Sequence, residues 1–314
     1  MRSSFVLIAT AGLVAVTLSG CASAPAPEAQ AGQSSDVVVV TGDFGETPRV
    51  EFPTPLVPGE TQCAEVIAGE GERLREGQHA LIRYAVYNGA NGDQVEVTGY
   101  GDQDPVEVTL VEGLMPGLRK ALTCANEGSR VVAVIPSDDG LGDAGNAALG
   151  IAGGDSLVFV VDVERAFLTR ADGSVRLSRD GFPAVVLAPD GRPGITIPNN
   201  DPPVGDTSEV AVLKQGNGQT IEDGDAVVVH YTGVLWDDSK TVFDSSWENG
   251  RPATFVVGEG GNVIPGFTTA LVGQKVGSQI GVIVPPSEGY GEEGNGQVPG
   301  GATLFFVVDI LGVI

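Results

Sequence analysis

The chain has few of the residues that carry most enzyme chemistry. Its two histidines, His79 and His230, and its three cysteines show no CxxC pair and no metal-ligand spacing, so neither a metal nor a cofactor is expected. No GxSxG elbow, phosphate-binding P-loop or dinucleotide fingerprint occurs, which removes the commonest hydrolase, nucleotide-binding and dehydrogenase motifs. The acidic and glycine-rich stretch at 138–146, DDGLGDAGN, lacks the ligand spacing of a calcium loop and reads as an acidic turn. Basic residues are also scarce. Seventeen Lys and Arg against 41 Asp and Glu give a formal charge of −24, which repels nucleic acid and anionic lipid. No run of five like charges occurs, so this acidity is spread as a solubilising surface.

What is abundant is glycine (46), proline (20) and valine-rich apolar sequence, with 42% hydrophobic residues overall. That composition favours many short strands joined by turns, and 314 residues suggest two domains. An internal repeat gives the division. Residues 114–142 align without a gap on 263–291, 154–163 on 301–310, and 64–84 on 211–231, the mark of a duplicated domain with copies at 37–167 and 207–314. Each copy holds an alternating strand ending at Tyr84 or Tyr231 and a short helix opened by Pro116 or Pro265. Two valine-rich strands then follow. Between the copies, residues 168–206 form a Pro/Gly-rich interdomain connection, although Phe182 to Leu187 is apolar enough to pack on a domain.

The N-terminus reads as a targeting sequence. Arg2 precedes an uncharged, mostly apolar run from Phe5 to Leu18, too short for a comfortable bilayer span. It ends in Leu18, Ser19, Gly20 and Cys21, which resemble a bacterial lipobox. The expected processing removes 1–20 and leaves a diacylated Cys21, whose two acyl chains suffice for stable anchoring. An ordinary secretory signal is the alternative. Residues 21–36 then form a flexible tether, and the only membrane contact is through the N-terminal lipid. Cys63 and Cys124 remain, an even pair in an exported chain, expected as one disulfide with two buried thiols as the alternative.

Five strings concentrate aromatic residues in the second copy: HYTG at 230–233, FDSS at 243–246, VIPGF at 263–267, EGYG at 288–291 and ATLFFVVDI at 302–310. In this order they resemble the FKBP-type peptidyl-prolyl cis-trans isomerases, strongly over 207–314 and in degenerate form over 64–165. The resemblance implies an α+β fold of two FKBP-like domains, each an antiparallel sheet curled around a short helix. It also implies a pocket built of Tyr231, Phe243, Asp244, Ile264, Phe267, Tyr290 and Phe306 as catalytic positions, with Val263 and Val298 as substrate-binding ones. Phe267, where many members carry tryptophan, is the implied floor, and His230 on the opposite strand face is structural. Counting back from Tyr84, Glu96 and Val97 fall at the Phe243 and Asp244 positions, while Met115, Leu118 and Leu141 replace Ile264, Phe267 and Tyr290. The first copy is therefore expected to keep the fold without efficient catalysis. The implied activity is X-Pro isomerisation in exported or envelope proteins, at the extracytoplasmic face of a bacterial membrane. The alternative is a non-catalytic chaperone or scaffold that binds proline-containing or unfolded segments.

Overall fold

The computed structural model describes residues 26–314 apart from 178, 204, 239 and 259. Cys21 and the apolar run before it lie outside the described residues. In chain order the elements are a one-turn helix α1 (Gln33–Asp36) and strands β1 (Val39–Thr41), β2 (Arg49–Glu51), β3 (Gln62–Ile67), β4 (His79–Asn88), β5 (Gln94–Thr98) and β6 (Val106–Thr109). Helix α2 (Pro116–Leu122), β7 (Arg130–Ile135), β8 (Leu157–Ala166), β9 (Ser174–Val175), β10 (Ala184–Leu187) and β11 (Pro193–Thr196) follow. The chain ends with β12 (Glu209–Gln215), β13 (Ala226–Leu235), β14 (Val242–Ser245), β15 (Ala253–Val256), α3 (Pro265–Leu271), β16 (Gln279–Val284) and β17 (Leu304–Val313).

Two antiparallel sheets repeat one topology. The first runs β3-β7-β8-β4-β5 with β6 also on β4; the second runs β9-β12-β16-β17-β13-β14 with β15 also on β13. Even the irregularities recur: β4 slips against β8 between Leu81 and Ile82, and β13 against β17 between Val228 and Val229. A slip shared by both copies fixes which residues face the core, because one step of register turns every side chain over.

Each sheet packs a seven-residue helix on one face. Proline opens both helices, where its missing N–H costs nothing. Gly117, Leu118, Ala121 and Leu122 form the buried face of α2, and Gly266, Phe267, Ala270 and Leu271 that of α3. The glycine is a matter of space: a Cβ at Gly117 would lie 2.1 Å from Ile135, and one at Gly266 2.6 Å from Val284. Glycine at this position lets helix and sheet close on one another.

The other face of each sheet is also covered, which is why β7, β16 and β17 are buried along their length and apolar except for Arg130, Gln279 and Asp309. In the first domain Val40, Val50 and Phe52 from the β1–β2 hairpin cover Val132, Val134, Val158 and Val160. In the second, Val185 and Ile195 of the β10–β11 hairpin, with Phe182 and Ile197, cover Val234, Trp236, Ile283, Phe305 and Val307. Residues 168–206 are thus more than a connection. They place an extra strand, β9, on the edge of β12 and a hairpin on the sheet face.

Residues 28–36 correct the expected tether in the same way. Ala29 and Ser35 are each 2% exposed, Gln30 bridges Gln62, and Glu28 pairs with Arg119 at 2.8 Å. Small side chains do not prevent packing when backbone groups find partners, as Ser34 and Ser35 do by donating to Gln62 Oε1.

Polar pins hold both covers. Arg130 and Asp162, both fully buried, form a two-pronged pair at 2.5 and 2.7 Å. Arg130 also donates to the Gly42 and Glu46 carbonyls beside β1. At the matching register in the second sheet Gln279 donates to Asp309 at 2.6 Å, and Asp309 accepts the Ala171 N–H at 2.8 Å. Burial holds the Asp309 carboxyl above the usual carboxylate range. Cys63 and Cys124 are joined as a disulfide. The two domains meet through a small buried cluster of Leu81, Phe167, Val228 and Leu311, with Phe167 seated against Gly312. Thr254 donates to Glu107 across the joint at 2.7 Å.

Candidate functional site

The second sheet and α3 enclose a cavity of about 400 Å³ lined by Tyr231, Asp244, Phe255, Val263, Ile264, Phe267, Tyr290 and Phe306, with Asn262 and Asn295 at its edge. Strand alternation explains the walls. Tyr231 on β13 and Phe306 on β17 are inward positions of paired strands, and Phe267 rises from the buried face of α3. The rings centre on Phe267, which stands nearly perpendicular to each of the other three, while Tyr231 is tilted by 50° to Phe255 and 53° to Phe306. Phe267 meets Phe306 edge-to-face at 4.8 Å, Phe255 at 5.6 Å and Tyr231 at 5.9 Å. Such edge-to-face contacts place positive ring edges on negative faces and fix ring orientation as well as burying area.

One hydrogen bond organises the polar side. The Tyr231 hydroxyl donates to Asp244 Oδ2 at 2.6 Å. Burial, and then the Asp244 carboxylate beside it, hold the Tyr231 hydroxyl well above the ordinary phenol range, so it stays protonated and remains a donor. The cavity therefore offers aromatic faces, one carboxylate and hydroxyls, and no activated nucleophile. It suits binding and distortion of an apolar ring, not covalent attack.

Two sequence-derived site residues sit elsewhere. Phe243 is not among the lining residues; its half-buried ring packs edge-to-face on Phe306 at 5.5 Å. Val298 is 4% exposed and belongs to the hydrophobic core. Its N–H and carbonyl are both bonded to Asn295, which turns its side chain into the loop's own anchor. Phe255 is the wall residue that sequence reasoning missed. Its signal was present in β15, where Ala253 and Phe255 alternate with Thr254 on a strand that pairs with β13.

The first domain has a matching cavity of about 440 Å³, and there the strand pairing corrects the sequence count. Val86 pairs with Glu96 as Gly233 pairs with Asp244, so Glu96 itself stands at the Asp244 position and Val95 at that of Phe243. The Tyr84 hydroxyl accordingly donates to Glu96 Oε1 at 2.8 Å. The loop between the first pair of strands differs in length, and a count along the chain could not absorb the difference.

Both histidines are structural. His230 lies between Ser246, 2.9 Å from Nδ1, and the stacked ring of Trp247 at 4.0 Å. Burial, and then nearby His79, push its pKa down to about 4. His79 bonds Thr109 and Glu107, and burial lowers its pKa against the opposing pull of Glu107.

A family model of the FKBP-type peptidyl-prolyl cis-trans isomerases matches the chain twice, at residues 70–164 and 217–311. The chain is 40% identical to FK506-binding protein 1 of Debaryomyces hansenii over 109 residues, 34% of this chain and 95% of that protein. It is 45% identical to FK506-binding protein 2B of Rhizopus delemar over 89 residues, 28% of this chain and 42% of that one. With the isomerase FkpA of Aeromonas hydrophila it shares 42% identity over 102 residues, 32% of this chain and 36% of the other. Of these last two relatives the chain thus spans less than half the length. The two family matches together exceed half of this chain, and it belongs to the FKBP-type peptidyl-prolyl cis-trans isomerases, with two FKBP domains.

Proposed function

We propose that catalysis resides in the second domain and that its aromatic cavity is where the X-Pro bond turns. The observation that carries this reading is the set of Tyr231, Phe255 and Phe306, each edge-to-face with Phe267, closed on its polar side by the Tyr231–Asp244 hydrogen bond. The barrier to be lowered, about 18–20 kcal/mol, comes from amide resonance. A twisted amide has lost that resonance and its charge separation. A dry aromatic cavity therefore favours the twisted form over the planar one, and a millionfold acceleration requires about 8 kcal/mol of such preference. In this scheme Phe267 is the floor under the proline ring, and Tyr231 and Phe306 are walls. The Ile264 backbone N–H and the Tyr290 hydroxyl hold peptide carbonyls, and Val263 borders the entrance. Phe243 and Val298 act indirectly, by backing the wall and anchoring the loop.

The export reading belongs to the same proposal: cleavage after residue 20, a diacylated Cys21, and exported or envelope proteins with slow X-Pro bonds as clients. Among the described residues no helix is long and apolar enough to cross a membrane; the anchor in this scheme is the lipid on Cys21. Isomerisation of a short X-Pro peptide by the full chain tests the activity, and a rate no faster than background rejects it. Detergent partitioning of the intact and Cys21→Ala chains tests the anchor.

A further inference from the structure

The first-domain cavity is as large as the isomerase cavity, about 440 against about 400 Å³, but its chemistry has changed. Strand pairing places Val108 where the second domain has Phe255, since Ala80 faces Val108 as Val227 faces Phe255. On the helix, Leu118 stands for Phe267 and Met115 for Ile264. Leu141 stands for Tyr290. Each loss of a ring opens space that a purely structural domain has reason to refill, because an empty apolar cavity costs stability in proportion to its volume. Here the space stays open, and Leu149, 42% exposed, stands at its side. Aliphatic and thioether side chains mould to ligands of varied shape, whereas rings locked edge-to-face on Phe267 select one.

Two further observations indicate what fits. The rim carries the exposed carboxylates of Glu96 and Glu107. In addition, Glu107, Val108 and Leu114 line both this cavity and the interdomain cleft of about 910 Å³, and Tyr231 lines both the cleft and the isomerase cavity.

We infer that the first-domain cavity is a second client site, taking an aliphatic side chain flanked by a basic residue from an extended polypeptide. The carboxylate rim selects the basic neighbour, and the aliphatic walls take the apolar anchor without requiring proline. The segment continues along the cleft toward the second cavity. Only this last clause rests on the isomerase reading above.

Fluorescence anisotropy of a labelled, proline-free peptide, Gly-Ala-Leu-Lys-Ala-Leu-Lys-Gly, with the full chain tests the site. Saturable binding is expected. It should weaken by at least about tenfold in Met115→Glu, which puts a charge into the apolar cavity, and persist in Met115→Leu and in Phe267→Ala. A probe with glutamates for lysines should bind more weakly. Met115→Glu should keep the parent's amide hydrogen-exchange protection in β4, β7 and β8, showing that the first domain is folded, and should turn over a short X-Pro tetrapeptide as the parent does. Absence of binding to the parent, or equal binding to Met115→Glu, overturns the inference. Displacement by oleate but not by unlabelled peptide also overturns it, by reassigning the cavity to an acyl chain. If the parent binds the probe in the expected pattern yet never turns over the tetrapeptide, the isomerase reading fails and this site stands.

Discussion

The Tyr231 hydroxyl donates to Asp244 at 2.6 Å, on the side of a cavity whose other walls are aromatic. Tyr84 and Glu96 make the same bond at 2.8 Å in the first domain, where Tyr84 and Phe159 remain and the other ring positions hold Val108, Leu118 and Leu141. The pair is therefore a feature of the duplicated fold, and the rings distinguish the two cavities. Tyr231→Phe should accordingly cost about 1–2 kcal/mol of stability, toward the low end for a hydrogen bond to a charged group because Asp244 is exposed, while kcat/KM on a short X-Pro peptide falls less than about tenfold. Denaturant titration and a peptide assay measure both.

Phe267 stands at the centre of the ring set, 4% exposed and in edge-to-face contact with Tyr231, Phe255 and Phe306. Phe267→Ala should lose about 3–5 kcal/mol of stability. Its kcat/KM should fall by about 100-fold or more, as the proposed floor under the proline ring is removed. The same change at Leu118, in the first domain, should leave short-peptide turnover unchanged.

The β10–β11 hairpin covers Trp236 and Phe305, and β9 extends the β12 edge. A fragment of residues 207–314 should therefore melt at least about 5 °C below a fragment of 168–314, because an apolar sheet face is laid open. Thermal unfolding followed by circular dichroism compares the two.

Stability should fall on acidification. His230 titrates near 4 in the folded chain and at its ordinary 6.5 when unfolded. Below 6.5 the unfolded chain binds the extra proton, so this contribution is complete above pH 6.5 and is lost as pH falls toward 4. The loss is on the order of 3 kcal/mol. His79, also lowered, acts in the same direction. In His230→Gln the slope of unfolding free energy between pH 4 and 6.5 should be shallower, as urea titrations at stepped pH will measure.

Much of this was legible in the sequence. The repeat, the proline-opened helices and the joint occurrence of HYTG, FDSS, VIPGF and EGYG located two copies and most of one cavity, because spacing along strands and helices survives as position in the fold. Three features were not legible for physical reasons. Phe243 and Val298 share the composition of wall residues, yet neither lines the cavity: one packs edge-to-face on Phe306 and the other is fully packed within the core. Glu96 was misplaced by one residue because a loop of different length shifts the count, while cross-strand hydrogen bonds do not shift. Residues 28–36 and 168–206 have the small, polar and turn-forming composition of linkers, and their packing depends on partners far away in the chain.

By itself, then, the sequence determined that two related β-rich domains exist and that aromatic residues concentrate in the second, since periodicity and repetition are properties of the chain. Only the tertiary structure decided which rings face the cavity, that Tyr84 and Glu96 repeat the Tyr231–Asp244 bond, and that the first domain encloses an open aliphatic pocket beside the interdomain cleft. Those outcomes depend on strand register and on long-range closure of helix upon sheet, and no local pattern of residues encodes either.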